Sequence, residues 1–245
     1  MRLIGLILPV LIGGLAAPAF PQPPSPQASA SLAVAQSGGG EWTDYVNKED
    51  RFTLNAPGAP QVRDITWPSE YGMTFPGRVY SFQRGQERYS ITVIDYTDAE
   101  RQYAALPHPP SFRQSIYWQI DIMASIQYAA TKLYRQRPGA KVTYDAWHYI
   151  NLVEGHQLNL TNADGTRTFA SIYLHENRLY ILDGTVPANG PEPGLFTQSL
   201  GFLDAEGKNV RYSQIYSNRL PPVTLGGRGG GGGGRGRAQG PGQGQ

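Results

Sequence analysis

The chain has 245 residues, no cysteine, 21 basic and 19 acidic side chains, and a formal charge of +2. Without cysteine there is no disulfide, no thiolate metal site and no cysteine nucleophile. Arg2, Arg228, Arg235 and Arg237 lie near the two ends; setting them aside leaves 17 basic residues against 19 acidic ones, so the body sits near −2 and exerts no overall pull on nucleic acid.

Met1-Arg2 is followed by "LIGLILPVLIGGLAAPAF": a short positive start, an apolar stretch, then small residues. This pattern predicts a secretory signal over residues 1–19, with cleavage at "APA" or as late as "AVA" ending at Ala35. An uncleaved N-terminal anchor is the alternative, and it also places the body outside the cytoplasm. Pro9, Gly13 and Gly14 interrupt the apolar run, so no membrane span is expected once the signal is removed. Residues 20–40 form a Pro/Ala/Ser/Gly linker and residues 221–245 a Gly/Arg-rich tail. Both lack the apolar side chains needed to offset ordering entropy, so both are expected to be disordered. Between them, residues 41–220 make one domain of roughly 180 residues, enough to bury a core.

The first half of that domain reads as strands. "RFTLNAP" puts Phe52 and Leu54 on one face before a proline turn. "QVRDITW" alternates Val62, Asp64 and Thr66 against Arg63, Ile65 and Trp67. "GRVYSFQRG" and "ERYSITVIDY" are expected to form an antiparallel hairpin. The period then changes. Phe112, Ile116, Ile120, Met123, Ala130 and Leu133 recur at three and four, predicting a long helix over Ser111 to Arg135, with Ser111 as N-cap and "RQRPG" as stop. Tyr117, Ile122 and Tyr128 fall on its other side, so more than one of its faces is expected to be covered.

Strands return with "AKVTYDAWHYINL", where Trp147 and Tyr149 share one face, and Tyr144 and His148 the other. "ADGT" at 163–166 and "HENR" at 175–178 link three more antiparallel runs, near His156 to Asn162, Arg167 to Leu174 and Arg178 to Val186. After a Pro/Gly crossover, Phe196, Leu200 and Leu203 lie on one helical stripe, with Pro193 in the first turn. The expected fold class is α+β: an antiparallel sheet with a long central helix and a short C-terminal helix packed on it.

The meander ending in "LYILDGTVP", the crossover, the helix "LFTQSLGFL" and the opening phrase "RFTLNAPGAPQ" together resemble the PsbP-like group. That fold is shared by an extrinsic photosystem subunit and a nuclear-import factor that binds the GTPase Ran. The resemblance spans about residues 41–203 and rests on packing positions: Phe52, Leu54, Phe196, Leu200 and Phe202. It implies a binding or assembly role and carries over no ligand or contact residue.

The residues that carry chemistry are scattered. His108, His148, His156 and His175 form no H-E-x-x-H or H-x-H pattern. His148, Glu154 and His156 could approach across neighbouring strands as metal ligands, but side chains of an aromatic sheet are the simpler expectation, and no metal or other cofactor is expected. No serine sits in a G-x-S-x-G elbow. Asp121, inside the most apolar helix, is either on a polar strip or buried and paired. Asn159 opens an N-L-T glycosylation sequon in a mid-strand setting that disfavours its use. The tail's three arginines come with no aromatic residue, so a spacer is expected over RNA binding.

Trp147, Tyr149, Tyr144 and His148 therefore form the candidate ligand or partner patch, with no catalytic residues assigned. The expected function is an exported, non-catalytic binding or assembly module of the cell envelope, with a protein partner and no specific nucleic acid. The alternatives are a carrier of a small apolar ligand between helix 111–135 and the sheet, and a hydrolase with an unrecognised site.

Overall fold

The structure, a computed structural model, describes residues 41–107 and 116–218. Among them ten strands run in chain order: β1 (Thr43–Asn47), β2 (Phe52–Ala56), β3 (Gln61–Pro68), β4 (Thr74–Arg84), β5 (Glu87–Asp95), β6 (Lys141–Ile150), β7 (Val153–Thr161), β8 (Arg167–His175), β9 (Arg178–Val186) and β10 (Gly201–Phe202). The helices are α1 (Ala99–Ala104), α2 (Tyr117–Ala130), which runs into a π-turn at Thr131–Arg135, and α3 (Gly194–Thr197). A seven-stranded sheet has the order β3-β4-β5-β9-β8-β7-β6, and a three-stranded sheet the order β1-β2-β10. Their strand pairings are antiparallel.

The central strands explain the layering. In β9, Leu179 and Ile181 point to one face while Tyr180 and Leu182 point to the other, and all four are buried. Both parities are apolar, so both faces of the sheet need a cover. On one side α1 and α2 pack Ala99, Trp118, Ile122 and Ala129 onto Leu158, Ile172, Leu179 and Ile181. On the other, the small sheet and α3 pack Phe52, Leu54, Phe196 and Phe202 onto Tyr80, Ile91, Tyr173 and Leu182. All five packing positions of the opening and closing phrases, Phe52, Leu54, Phe196, Leu200 and Phe202, meet in this second core. Gly184 permits the crossover to lie flat: a Cβ there would come within 2.7 Å of Pro193 Cγ.

The long central helix is corrected in length and in orientation. The α-helical part spans Tyr117–Ala130 and the π-turn ends at Arg135, while Ser111 and Phe112 lie outside the described residues. The π-turn redirects the last side chains, burying Tyr134 and sending Arg135 towards β6. The first half of the expected core stripe is exposed, with Ile116, Ile120 and Met123 at 53, 37 and 67%, while Ala130 from its second half is buried. The buried face is Trp118, Asp121, Ile122, Ser125, Ile126, Ala129 and Ala130. Small residues at Ser125, Ala129 and Ala130 let the helix axis approach the sheet closely, which a face of long side chains would hold off.

Near the C-terminus the expected helical stripe breaks after one turn. Phe196, Leu200 and Leu203 are all buried. Gly201–Phe202, however, pairs with β2 as β10.

Candidate docking surface at the outer edge of β6

β6 forms because Val142, Tyr144, Trp147, Tyr149 and Ile150 suit a pleated surface. It hairpins into β7 through Asn151 and Leu152, both with positive φ, at 49° and 63°. That geometry matches the twist of the flanking strands, although only the asparagine tolerates it readily. A brace compensates: the Tyr216 N–H donates to the Leu152 carbonyl at 2.8 Å, and Tyr216 bridges Val153.

A two-residue turn closes on a hydrogen-bonded pair, here Ile150 and Val153. Alternation then aims the backbone N–H and C=O groups of His148 and Ala146 at β7, and those of Tyr149, Trp147 and Asp145 away from it. Among the described residues no strand pairs with β6 on its other side, so these outward groups line that edge. A bulge at Thr143, between Val142 and Tyr144, ends the regular stretch.

Register decides which face each side chain joins. Trp147 lies opposite buried His156, Tyr149 opposite Glu154 and Asp145 opposite Leu158, on the α2 side. Tyr144 and His148 lie opposite Asn159 and Gly155, on the other side. Trp147, Tyr149 and Tyr144 are 58, 46 and 46% exposed. His148 is half-buried, and its Nδ1 takes the Tyr173 hydroxyl at 2.7 Å. Burial lowers the His148 pKa and raises that of Tyr173 to about 12, so imidazole and phenol are both neutral. Gly155 makes room for the Tyr173 ring: a Cβ there would stand 2.3 Å from its Cδ1 and 2.3 Å from the Ile172 carbonyl oxygen.

On the α2 side a polar clamp fixes Trp147. Its ring meets His156 edge-on at 5.6 Å. His156 Nε2 bonds Asp145, and the Arg135 guanidinium grips the same carboxylate at 2.7 and 2.9 Å. Gln127 Nε2 approaches His156 Nδ1 at 3.3 Å, and Gln127 Oε1 accepts from Arg135 at 2.9 Å. Arg135 Nη2 also lies 3.0 Å from His156 Nε2, so the ring is held by Asp145 and Arg135 at one nitrogen and by Gln127 at the other. The Arg135 guanidinium holds the Asp145 carboxyl down to about 2.

Gln127 also locates the exposed helix stripe. Met123, Ile120 and Ile116 precede it by four, seven and eleven residues, on the same side of α2. Gln127, which touches His156 beneath Trp147, thus shares that side of α2 with these three. Periodicity placed them in the core. The signal for the opposite assignment is the run of small residues on the buried face.

The remaining candidates are held in structural pairs. His148 and His156 project from opposite faces of the sheet, which separates the suggested metal ligands. No cluster of three or more His, Asp or Glu among the described residues is placed to hold a metal ion. His175 stacks on Phe202 at 4.4 Å and bonds Tyr212 at 2.6 Å, and His108 lies outside the described residues. Asp121 is buried, takes the Tyr103 hydroxyl at 2.8 Å, and has its pKa raised by that burial. Asn159 sits in mid-strand with its Oδ1 buried, between Tyr144 and Phe169. Among the described residues no serine hydroxyl bonds a histidine. The space between α2 and the sheet is filled by Trp118, Ile122, Ile126, Leu158 and Ile172. Two hollows of about 270 and 150 Å³ lie elsewhere, along Tyr212–Ser217 and between Asp50, Arg78 and Asp95. No described helix is long and apolar enough to cross a membrane.

No family model and no curated protein matches this chain. Among solved structures it is similar to the cyanobacterial PsbP of Synechocystis sp. PCC 6803, with a TM-score of 0.35 and 11% identity over 66% of this chain and 88% of that one. It is also similar to a Pseudomonas aeruginosa protein of unknown function, with a TM-score of 0.26 and 14% identity over 60% of this chain and 84% of that one. Likenesses this loose carry no argument about role, so the functional reading rests on the edge of β6 and the exposed stripe of α2.

Proposed function

We propose that this chain is an exported, non-catalytic binding or assembly module that docks a protein through the outer edge of β6 and the exposed stripe of α2. The supporting observation is that two unmet demands coincide. The backbone groups of Asp145, Trp147 and Tyr149 face away from β7, Trp147 and Tyr149 expose large apolar area on the same strand, and Ile116, Ile120 and Met123 are exposed on the side of α2 that carries Gln127. One event satisfies both, the addition of an extended protein segment to the edge. The pairing of Asp145, His156, His175 and Asp121 into structural contacts supports the non-catalytic part. The apolar segment and small residues after Arg2 support export through a signal over residues 1–19, ahead of a 20–40 linker, a 41–220 domain and a 221–245 tail.

The test is a photo-reactive residue at Met123 or Tyr149 in the full chain, with Val62 on β3 as control. Protein adducts at Met123 and Tyr149, none at Val62, and an exported chain starting between residues 20 and 36 are the expected results. A retained small molecule in native mass spectra, with no protein adduct, overturns the reading in favour of a carrier.

A further inference from the structure

Resting on that docking reading, we infer that the segment completing the β6 edge is β6 of a second copy of this chain, paired antiparallel about a two-fold axis at Trp147. The outward backbone groups set the register. With the axis at Trp147, the residue faces the partner's Trp147, Asp145 faces the partner's Tyr149, and Tyr149 faces the partner's Asp145. In each of these pairs both residues aim N–H and C=O at one another, so each exchanges two hydrogen bonds. No outward group between Asp145 and Tyr149 is left over.

Neighbouring registers are worse. An axis at Asp145 sets two carboxylates directly opposite, and like charges opposed across a ladder are destabilising. An axis at Tyr149 drives the strand into the Asn151–Leu152 turn, whose positive φ values offer no extended backbone.

The side chains agree with the axis at Trp147. Asp145, Trp147 and Tyr149 all lie on the α2 side. The two indoles pack beside each other, and each Tyr149 hydroxyl lies across from a carboxylate already neutralised by Arg135. The edge is therefore complementary to itself: it has no proline and no like charges in opposition, and its one lysine, Lys141, lies beyond the bulge, outside the paired residues. A closed two-fold contact of this kind is the commonest form of self-assembly.

The test uses the absence of cysteine from the chain. Residues that face each other in a hydrogen-bonded antiparallel pair have Cα atoms about 5.5 Å apart, within disulfide reach. Trp147→Cys in the full chain should give a disulfide-linked homodimer on mild oxidation, and Val62→Cys should not. In sedimentation equilibrium the wild type should dimerise, and Trp147→Lys should weaken that dimer at least 100-fold while melting within a few degrees of wild type. Tyr149→Lys, one strand position along, should do the same. A dimer that survives Trp147→Lys, or one that cross-links through Val62→Cys, overturns the inference. A monomer at all concentrations, whose photo-reactive Tyr149 still captures another protein, overturns the second copy and keeps the docking reading. A monomer with no adduct removes both.

Discussion

The seven-stranded sheet ends in two edge strands of opposite character. β3 follows Pro60, closes on Pro68, and carries Arg63 and Asp64 along its exposed length, with Asp64 paired to Arg78 at 3.4 Å. β6 has no proline, one lysine at its start, and Tyr144, Trp147 and Tyr149 exposed. Edges that must stay unpaired are blunted with proline and charge, because a bare ladder recruits other strands. β3 has proline at both ends, whereas β6 has none, and the charges of β6 stand at Lys141, before the bulge, or in the Asp145–Arg135 pair. β6 is instead held in shape: the Arg135–Asp145–His156 clamp supports it from one side, and the Tyr216 brace fixes its turn. An unguarded edge that is also rigidified is suited to docking.

Substitutions can break or sharpen this contrast. The largest effect is expected at Gly155→Val. The added carbons would run into the Ile172 carbonyl and the Tyr173 ring, and a ladder carbonyl has little freedom to move. Urea denaturation should show a loss above about 3 kcal/mol, with β6 protection lost in hydrogen exchange. A variant within about 1 kcal/mol of wild type would mean that β7 is not held against Tyr173 as described.

Acid should separate the two edges next. Burial, then Arg178 and Arg51, depress His175 from its ordinary value to about 4. A histidine depressed in the folded state contributes stability that is present above its unfolded pKa of about 6.5 and is lost as pH falls towards 4. The loss should approach about 3 kcal/mol at pH 4. His175 bonds Tyr212, which stacks on Tyr216, the residue bracing Leu152, so exchange at the β6–β7 turn should rise below pH 6 while β3 stays protected. His175→Phe should flatten that slope.

Asp145→Asn should have a smaller effect. The folded Asp145 pKa, at about 2, lies below the ordinary carboxylate value, so its contribution is present above about pH 4 and disappears as pH falls through 2. Screening at this partly open site reduces it to about 1 kcal/mol, measured as the difference in unfolding free energy between pH 7 and pH 2. Smallest in stability is the triple change Pro60→Val, Arg63→Val and Asp64→Val on β3, within about 0.5 kcal/mol of wild type. Its consequence is association: light scattering should show new self-assembly that Trp147→Lys does not suppress.

Alternation along the strands was readable in the residues, as was the Asp164-Gly165 turn, since both follow from a period of two and from the conformational freedom of glycine. β1 and β10 were not, because "TDYVN" and "GF" are too short to show a period. The buried face of α2 was also illegible. Ile116, Ile120 and Met123 repeat as regularly as Trp118, Ile122 and Ile126, so periodicity alone cannot rank the two stripes. Of the candidate patch, the sharing of faces by Trp147 with Tyr149 and by Tyr144 with His148 followed from strand parity. The clamp did not, since Arg135, Asp145 and His156 belong to a helix end and two strands.

The sequence by itself determined the longer strands, the Asp164-Gly165 turn and the apolar character of both parities in β8 and β9. Those are local matters, decided by side chains a few residues apart. Tertiary structure decided which helix stripe stays in water, which edge is left open, and that Arg135 meets Asp145 and His156. These depend on how closely a helix can approach a sheet and on where strand order ends, and no single segment carries that information.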